Sequence, residues 1–256
     1  MESENHMEFF RAPNCPHKQV TLAVVDGRLS KPVETALAVR GITAVKTKKH
    51  RNLYEAVSFH PDMVIHHLGD EYIVYAPGTD EWFLHTLSGL GFKLIKGEAC
   101  LAPAYPYDIA YNVARIGNVA MHNLRYTDTI LKNELLKRDV KLVHVNQGYT
   151  KCSVSVVDEN SIITSDSMIA GEAERNGINA LLIKQQNRIV LNGLNHGFIG
   201  GSSGRLARYE WALTGDITTL DGYQDILAFL AKKSMKVVLL SREEVVDLGS
   251  IIPLCC

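Results

Sequence analysis

The sequence predicts an α/β ring of five ββαβ repeats, a five-bladed propeller, and three observations carry that prediction. First, an amphipathic helix that ends at a small or polar residue and runs into a short apolar strand recurs five times. The recurrence is roughly every 40 to 55 residues, a period typical of repeat architectures. Second, a pair of short strands precedes the helix in four of the repeats. Third, the two ends of the chain each supply part of one unit, so that joining them closes a ring and removes exposed strand edges.

The five junctions are Val39-Arg40-Gly41 into Ile42–Thr47, Gly89-Leu90-Gly91 into Phe92–Lys96, Lys137-Arg138-Asp139 into Val140–Val145, Arg175-Asn176-Gly177 into Ile178–Ile183, and Lys232-Lys233-Ser234 into Met235–Leu240. The expected hairpins pair Met63–His66 with Tyr72–Tyr75 across Gly69-Asp70, Ile109–Asn112 with Val119–Met121, Lys151–Val156 with Ile162–Thr164, and Phe198–Gly204 with Glu210–Leu213. Helices are expected over Ser30–Arg40, Thr79–Leu90, Thr127–Arg138, Ser165–Asn176 and Thr219–Lys233. Three of these open on Thr beside an acidic residue, the composition of an N-cap. The divided unit takes Gln19–Val25 from the start and Val245–Pro253 from the end. The domain reading is a polar tail over residues 1–18 and a single ring over 19–254.

With 46% apolar residues and a mean hydropathy of -0.02, the chain has material for a sizeable core. A net charge of -1 gives no electrostatic footprint for nucleic acid or an anionic membrane. No run approaches the ~18 apolar residues of a membrane span, and Met1–His6 lacks the basic start and apolar stretch of a secretory signal. Five irregularly spaced cysteines fit neither a disulfide framework nor a zinc motif, so a reduced, cytoplasmic setting is expected. No cofactor and no metal are expected.

Five such units in 256 residues resemble the pentein, or guanidino-group-modifying, fold. Its members include arginine deiminases, dimethylarginine dimethylaminohydrolases, amidinotransferases, agmatine deiminases and a translation initiation factor. The stretch Tyr149–Ser153, followed by Ile162–Asp166, is similar to bacterial proteins of unknown function in that superfamily. The resemblance implies a cysteine that attacks a guanidinium carbon, a histidine that moves protons and carboxylates that hold the cationic nitrogens. In arginine deiminases the cysteine precedes a C-terminal Ser-x-Pro-apolar run. The matching segment here is Leu248–Leu254, and Gly249 stands in the nucleophile's place. The chain resembles a branch without the usual C-terminal cysteine.

Superposing the repeats aligns Asp62, Asp108, Lys151, Gly201 and Asp247 at the axis. Three carboxylates facing a lysine suit a small polar ligand that carries both a cation and a carboxylate, such as an amino acid or a guanidino acid. Cys152 is the one cysteine inside a repeated strand at that end, beside Lys151, whose charge would favour a thiolate, and not far from Asp166. Its bland reading is a small core residue. Among ten histidines, His60 and then His122 are the candidates for acid–base work. The Gly-rich run Gly197–Gly204 either cradles an anion or lets backbones pack closely. Two functions follow: a Cys152-dependent hydrolase or amidinotransferase with Asp62, Asp108, Lys151, Asp247, His122 and Asp166 about its ligand, or a non-catalytic scaffold or binding module on the same ring.

Overall fold

A computed structural model of the chain describes residues 7–256, so Met1–His6 falls outside the described residues. The described chain forms five three-stranded sheets. The first holds β1 (Leu22–Val25), helix α1 (Lys31–Val39) and β2 (Thr43–Lys46). The second runs from a one-turn helix, α2 (Pro61–Val64), into β3 (Ile65–Gly69), β4 (Tyr72–Tyr75), α3 (Glu81–Gly89) and β5 (Lys93–Lys96). The third contains β6 (Ala114–Ile116), β7 (Val119–His122), α4 (Thr129–Leu136) and β8 (Lys141–His144). The fourth repeats the one-turn entry as α5 (Thr150–Ser153), then β9 (Val154–Asp158), β10 (Ser161–Thr164), α6 (Ser167–Arg175) and β11 (Asn179–Leu182). The fifth has β12 (Ser203–Ala207), β13 (Glu210–Leu213), α7 (Tyr223–Lys232) and β14 (Lys236–Leu239). Finally β15 (Ile252–Cys255) returns to pair antiparallel with β1, placing Val24 opposite Ile252 and Leu22 opposite Cys255. The ring is closed by its own two ends.

Within each blade the inner strand is antiparallel to the middle one, and the helix carries the chain over to a parallel outer strand. Inner strands are almost wholly buried, whereas outer strands are half-exposed and carry lysines such as Lys46, Lys93, Lys141 and Lys236. Lysine on an outermost strand blunts edge-to-edge association.

The five junctions read from the sequence share one physical cause. Gly41, Gly91, Asp139, Gly177 and Ser234 all adopt positive φ, between 55° and 93°. The next residue's N–H then reaches back to the carbonyl five residues earlier: Ile42 to Leu37, Phe92 to Leu87, Val140 to Leu135, Ile178 to Ala173 and Met235 to Leu230, at 2.9–3.1 Å. That is the Schellman stop, with its apolar pair buried beneath it. Each of those earlier residues is completely buried, and burying one leucine contributes about 1.5–3 kcal/mol. At the other end Asp80 and Asp128 cap α3 and α4, accepting from Phe83 N at 3.0 Å and Leu131 N at 2.8 Å. The caps are these aspartates, not the neighbouring threonines, and α7 starts after Gly222, later than Thr219.

Three other expectations need correction. The inner strands begin later than predicted, because the axial end of each repeat curls before extending: Asp62 and Lys151 lie on helical turns, and Asp108–Val113 is irregular. Val245–Ser250 is not strand; Gly249 and Ser250 have φ of 62° and 74°, which no extended ladder accommodates. The segment 7–18 is not a free tail, since Phe9 bridges Cys255, Phe10 is buried, and Glu8 exchanges backbone hydrogen bonds with Cys256.

Candidate functional site

Counting back from each inner strand shows how the ring builds its centre. Five residues before Ile65, Ala114, Val154, Ser203 and Ile252 stand His60, Ile109, Tyr149, Phe198 and Asp247. Three residues before them stand Asp62, Tyr111, Lys151, Gly200 and Gly249, and two before them Met63, Asn112, Cys152, Gly201 and Ser250. Asp62 and Lys151 are therefore true equivalents. Asp108, Gly201 and Asp247 are not in register with them, contrary to the alignment expected from the sequence.

Four of the residues in the five-back position, His60, Tyr149, Phe198 and Asp247, line one cavity of about 250 Å³, together with Cys152 and Tyr54. Tyr149 and Phe198 form a stacked wall with ring centroids 6.3 Å apart. Asp108 stands behind that wall, accepting a hydrogen bond from the Tyr149 hydroxyl, which lies 3.4 Å from the Tyr54 hydroxyl.

Cys152 sits on α5, held from three sides. Asn112 accepts the backbone N–H groups of Lys151 (2.8 Å) and Cys152 (3.2 Å), and its own amide donates to Cys152 Sγ at 3.2 Å. The thiol donates to Asp62 Oδ2 at 3.2 Å. Ser250 Oγ also donates to Asp62 Oδ2, at 2.9 Å, and accepts from Lys151 Nζ at 2.8 Å. Lys151 thus points away from the aromatic-walled cavity, into a water-sized gap of about 20 Å³ shared with Asp62 and His66.

At this thiol the help expected from Lys151 is outweighed by burial. Burial, reinforced by the charges of Asp62 and Asp247, pushes the Cys152 thiol well above its ordinary range. Burial likewise depresses Lys151, opposed by the Asp62 charge.

His60 is completely buried between two carboxylates, with Nδ1 3.9 Å from Asp247 Oδ1 and Nε2 3.8 Å from Asp26 Oδ2. Neither ring nitrogen has a hydrogen-bond partner among the described residues, and neither does Asp62 Oδ1. Asp247 is fixed by the N–H groups of Phe198 (2.8 Å) and Gly249 (3.0 Å). Burial raises its pKa, with His60 pulling the other way. Asp26 is gripped by Arg28 through Nη2 at 2.7 Å.

The chain brings Cys152, His60, Asp62 and Asp247 together, with Lys151 on the far side of Asp62 and Asp108 behind Tyr149. It does not bring in the other two candidates. His122 lies 2.7 Å from the Thr127 hydroxyl and 2.9 Å from the Gly148 carbonyl; burial depresses it to about 4, a neutral ring that holds the loop before Tyr149. Asp166 caps α6 through Met168 N and Ile169 N, at 2.9 and 3.0 Å. The Gly-rich run is explained by close approach: a Cβ on Gly201 would lie 1.9 Å from Asp247 Oδ1. At Gly249 a Cβ would fall 2.3 Å from His60 Cβ, so a cysteine there would collide with the histidine. Sequence reasoning missed Asn112, Ser250, Tyr54, Tyr149 and Phe198. Asn112 left a trace as a polar residue ending an apolar run, and Tyr149 as the first residue of the Tyr149–Ser153 stretch.

Residues 24–252 match the family of unknown function DUF6873, and the chain belongs to that family. No curated protein matches the sequence. Among solved structures, the chain is similar to inosamine-phosphate amidinotransferase StrB1 from Streptomyces griseus (TM-score 0.55, 11% identity, covering 89% of this chain and 90% of that one). It is also similar to agmatine deiminase from C. jejuni (0.54, 10%, 94% and 92%). A third is SxtG, an amidinotransferase from Microseira wollei in the saxitoxin biosynthetic pathway (0.53, 10%, 91% and 91%). At such identities the likeness shows the fold, and that fold is the pentein propeller. No helix among the described residues is long and apolar enough to cross a membrane.

Proposed function

We propose that the chain binds a small organic cation, a guanidino compound or related amine, in the aromatic-walled cavity, and that Cys152 attacks it. One observation carries this reading: a thiol, a histidine and the Asp247 carboxylate, brought from three blades, line a single cavity walled by Tyr54, Tyr149 and Phe198, with Asp62 accepting from the thiol behind it. Aromatic faces and a desolvated carboxylate both favour a cation. No lysine or arginine lines that cavity, so a ligand carboxylate would find no charged partner there. The favoured ligand is cationic and carries no carboxylate, which narrows the amino-acid-like ligand expected from the sequence.

A cation beside Cys152 offsets the effect of burial and eases loss of the thiol proton, with Asp62 Oδ2 as the nearest acceptor. Sulfur then bonds to the guanidinium carbon, and the departing nitrogen leaves with a proton delivered through His60. Water adds to the same carbon, the S–C bond breaks and the thiol recovers its proton.

The rival reading is a binding module. The raised thiol pKa and the filled space at Gly249 favour it. Thermal shifts with agmatine, arginine, citrulline, ornithine and creatine, run beside assays for released amine and ureido product, separate the two. Agmatine should raise the apparent Tm most, with product formed by the native chain and absent in Cys152→Ala. Equal shifts without product would establish the binding module, and no shift with any compound would overturn the cation site.

A further inference from the structure

We propose that His60, Asp62 and Cys152 form a binding site for one thiophilic divalent cation such as Zn²⁺, with its fourth position open to the cavity. Their ligand atoms lie within 4.8 Å of one another, and all three residues are buried. One imidazole, one carboxylate and one thiolate are all ordinary zinc ligands, and three protein ligands with one free position is the pattern of a reactive zinc centre.

The polar accounting points the same way. Asp62 Oδ1 and both ring nitrogens of His60 are buried without partners among the described residues, a state proteins seldom leave uncompensated. Cys152 Sγ and Asp62 Oδ2, 3.2 Å apart, already have nearly the spacing of two ligands on a tetrahedral ion with bonds of about 2.0–2.3 Å. His60 has farther to come, but turning its ring breaks no hydrogen bond.

A supporting shell is also present. Whichever nitrogen ligates, the other faces a carboxylate, Asp247 at 3.9 Å or Asp26 at 3.8 Å. Ser250 steadies Asp62 and Asn112 steadies the sulfur. Cation binding would displace the thiol proton whatever holds the thiol at rest. The proposal does not depend on the guanidino reading, because the metal itself is the probe.

The chain has a competing surface group, Glu8, His17 and Cys256, and an exposed thiol, Cys100. The test therefore uses a Cys100→Ser/Cys256→Ser background, dialysed against chelator. Zn²⁺ should bind with one equivalent and raise the apparent Tm, and Co²⁺ should give a near-ultraviolet thiolate-to-metal band. Adding Cys152→Ser should abolish the band, while Asp62→Asn and His60→Gln should each weaken Zn²⁺ at least about tenfold. Far-UV circular dichroism checks that each variant folds. Absence of stoichiometric binding in the background protein, or a Co²⁺ band that survives Cys152→Ser in a folded chain, would overturn the site.

Discussion

Two segments of this ring occupy the same place in their repeats and do opposite things. Thr150–Ser153 enters the fourth blade as a turn of helix and presents Cys152, two residues before its inner strand, to the cavity. Asp247–Ile251 enters the divided blade through two left-handed residues and presents Ser250, at the equivalent position, to Asp62 and Lys151 instead. The second segment is where the family resemblance puts a nucleophile, yet His60 fills the space a side chain on Gly249 would need. One ring position is thus not tied to one chemistry. The local backbone decides whether a side chain faces the ligand or the framework.

Removing the thiol from the first segment tests the contrast most severely. Cys152→Ala should lower turnover of any accepted guanidine by on the order of 10³-fold or more, read by product formation, while leaving the circular dichroism unchanged. Activity that persists would move the chemistry out of this blade.

Placing a thiol in the second segment should damage folding instead. Gly249→Cys combines a left-handed φ with a 2.3 Å clash against His60, and should cost about 3 kcal/mol or more by urea denaturation. A Gly249→Cys chain of native stability would mean that His60 yields easily.

The pH dependence of stability sharpens a second difference, between the buried carboxylates around the site and the ring's buried histidines. Burial depresses His66 to about 3 and His67 and His122 to about 4. Their neutral forms stabilise the fold fully above the ordinary value near 6.5. As pH falls from there toward about 4 the unfolded chain takes up protons that the native chain refuses, so stability declines by up to about 1.4 kcal/mol per pH unit for each ring. Apparent Tm should fall over that window, less steeply in His122→Gln. Burial raises Asp247 and Asp108, which pushes in the opposite direction.

Thiol reactivity follows from the same contrast of environments. With its pKa raised by burial, Cys152 should react with iodoacetamide more slowly than exposed Cys100 at about pH 8, and accelerate as pH rises. Faster labelling of Cys152 would show that the resting site favours the thiolate after all. The smallest effect is expected from Ser250→Ala, which leaves Asp62 and Lys151 without their shared hydroxyl. A loss of about 1–3 kcal/mol is expected, with Cys152 still in place.

The helix stops were the most legible part of the chain. Gly41, Gly91, Asp139 and Gly177 announce left-handed caps because few other residues tolerate that conformation cheaply; Ser234 is the exception, and the apolar residue after each is the other half of the motif. Closure was legible from two incomplete ends. Cys152, His60, Asp62 and Asp247 could be named because polar or reactive residues interrupting apolar runs near strand starts are few. Their partnerships could not. Lys151 is adjacent to Cys152 in sequence, yet one helical turn sends its ammonium group to Ser250 and leaves the thiol to Asp62, 90 residues away.

The sequence by itself determined the repeat, the closure and the short roll of groups able to do chemistry, since those depend on local conformation and on which surfaces must be buried. Tertiary structure alone decided which groups meet. Contact between blades is set by the sub-ångström fit of backbones around the axis, seen where Gly201 and Gly249 leave room for Asp247 and His60. No pattern within one repeat records that fit.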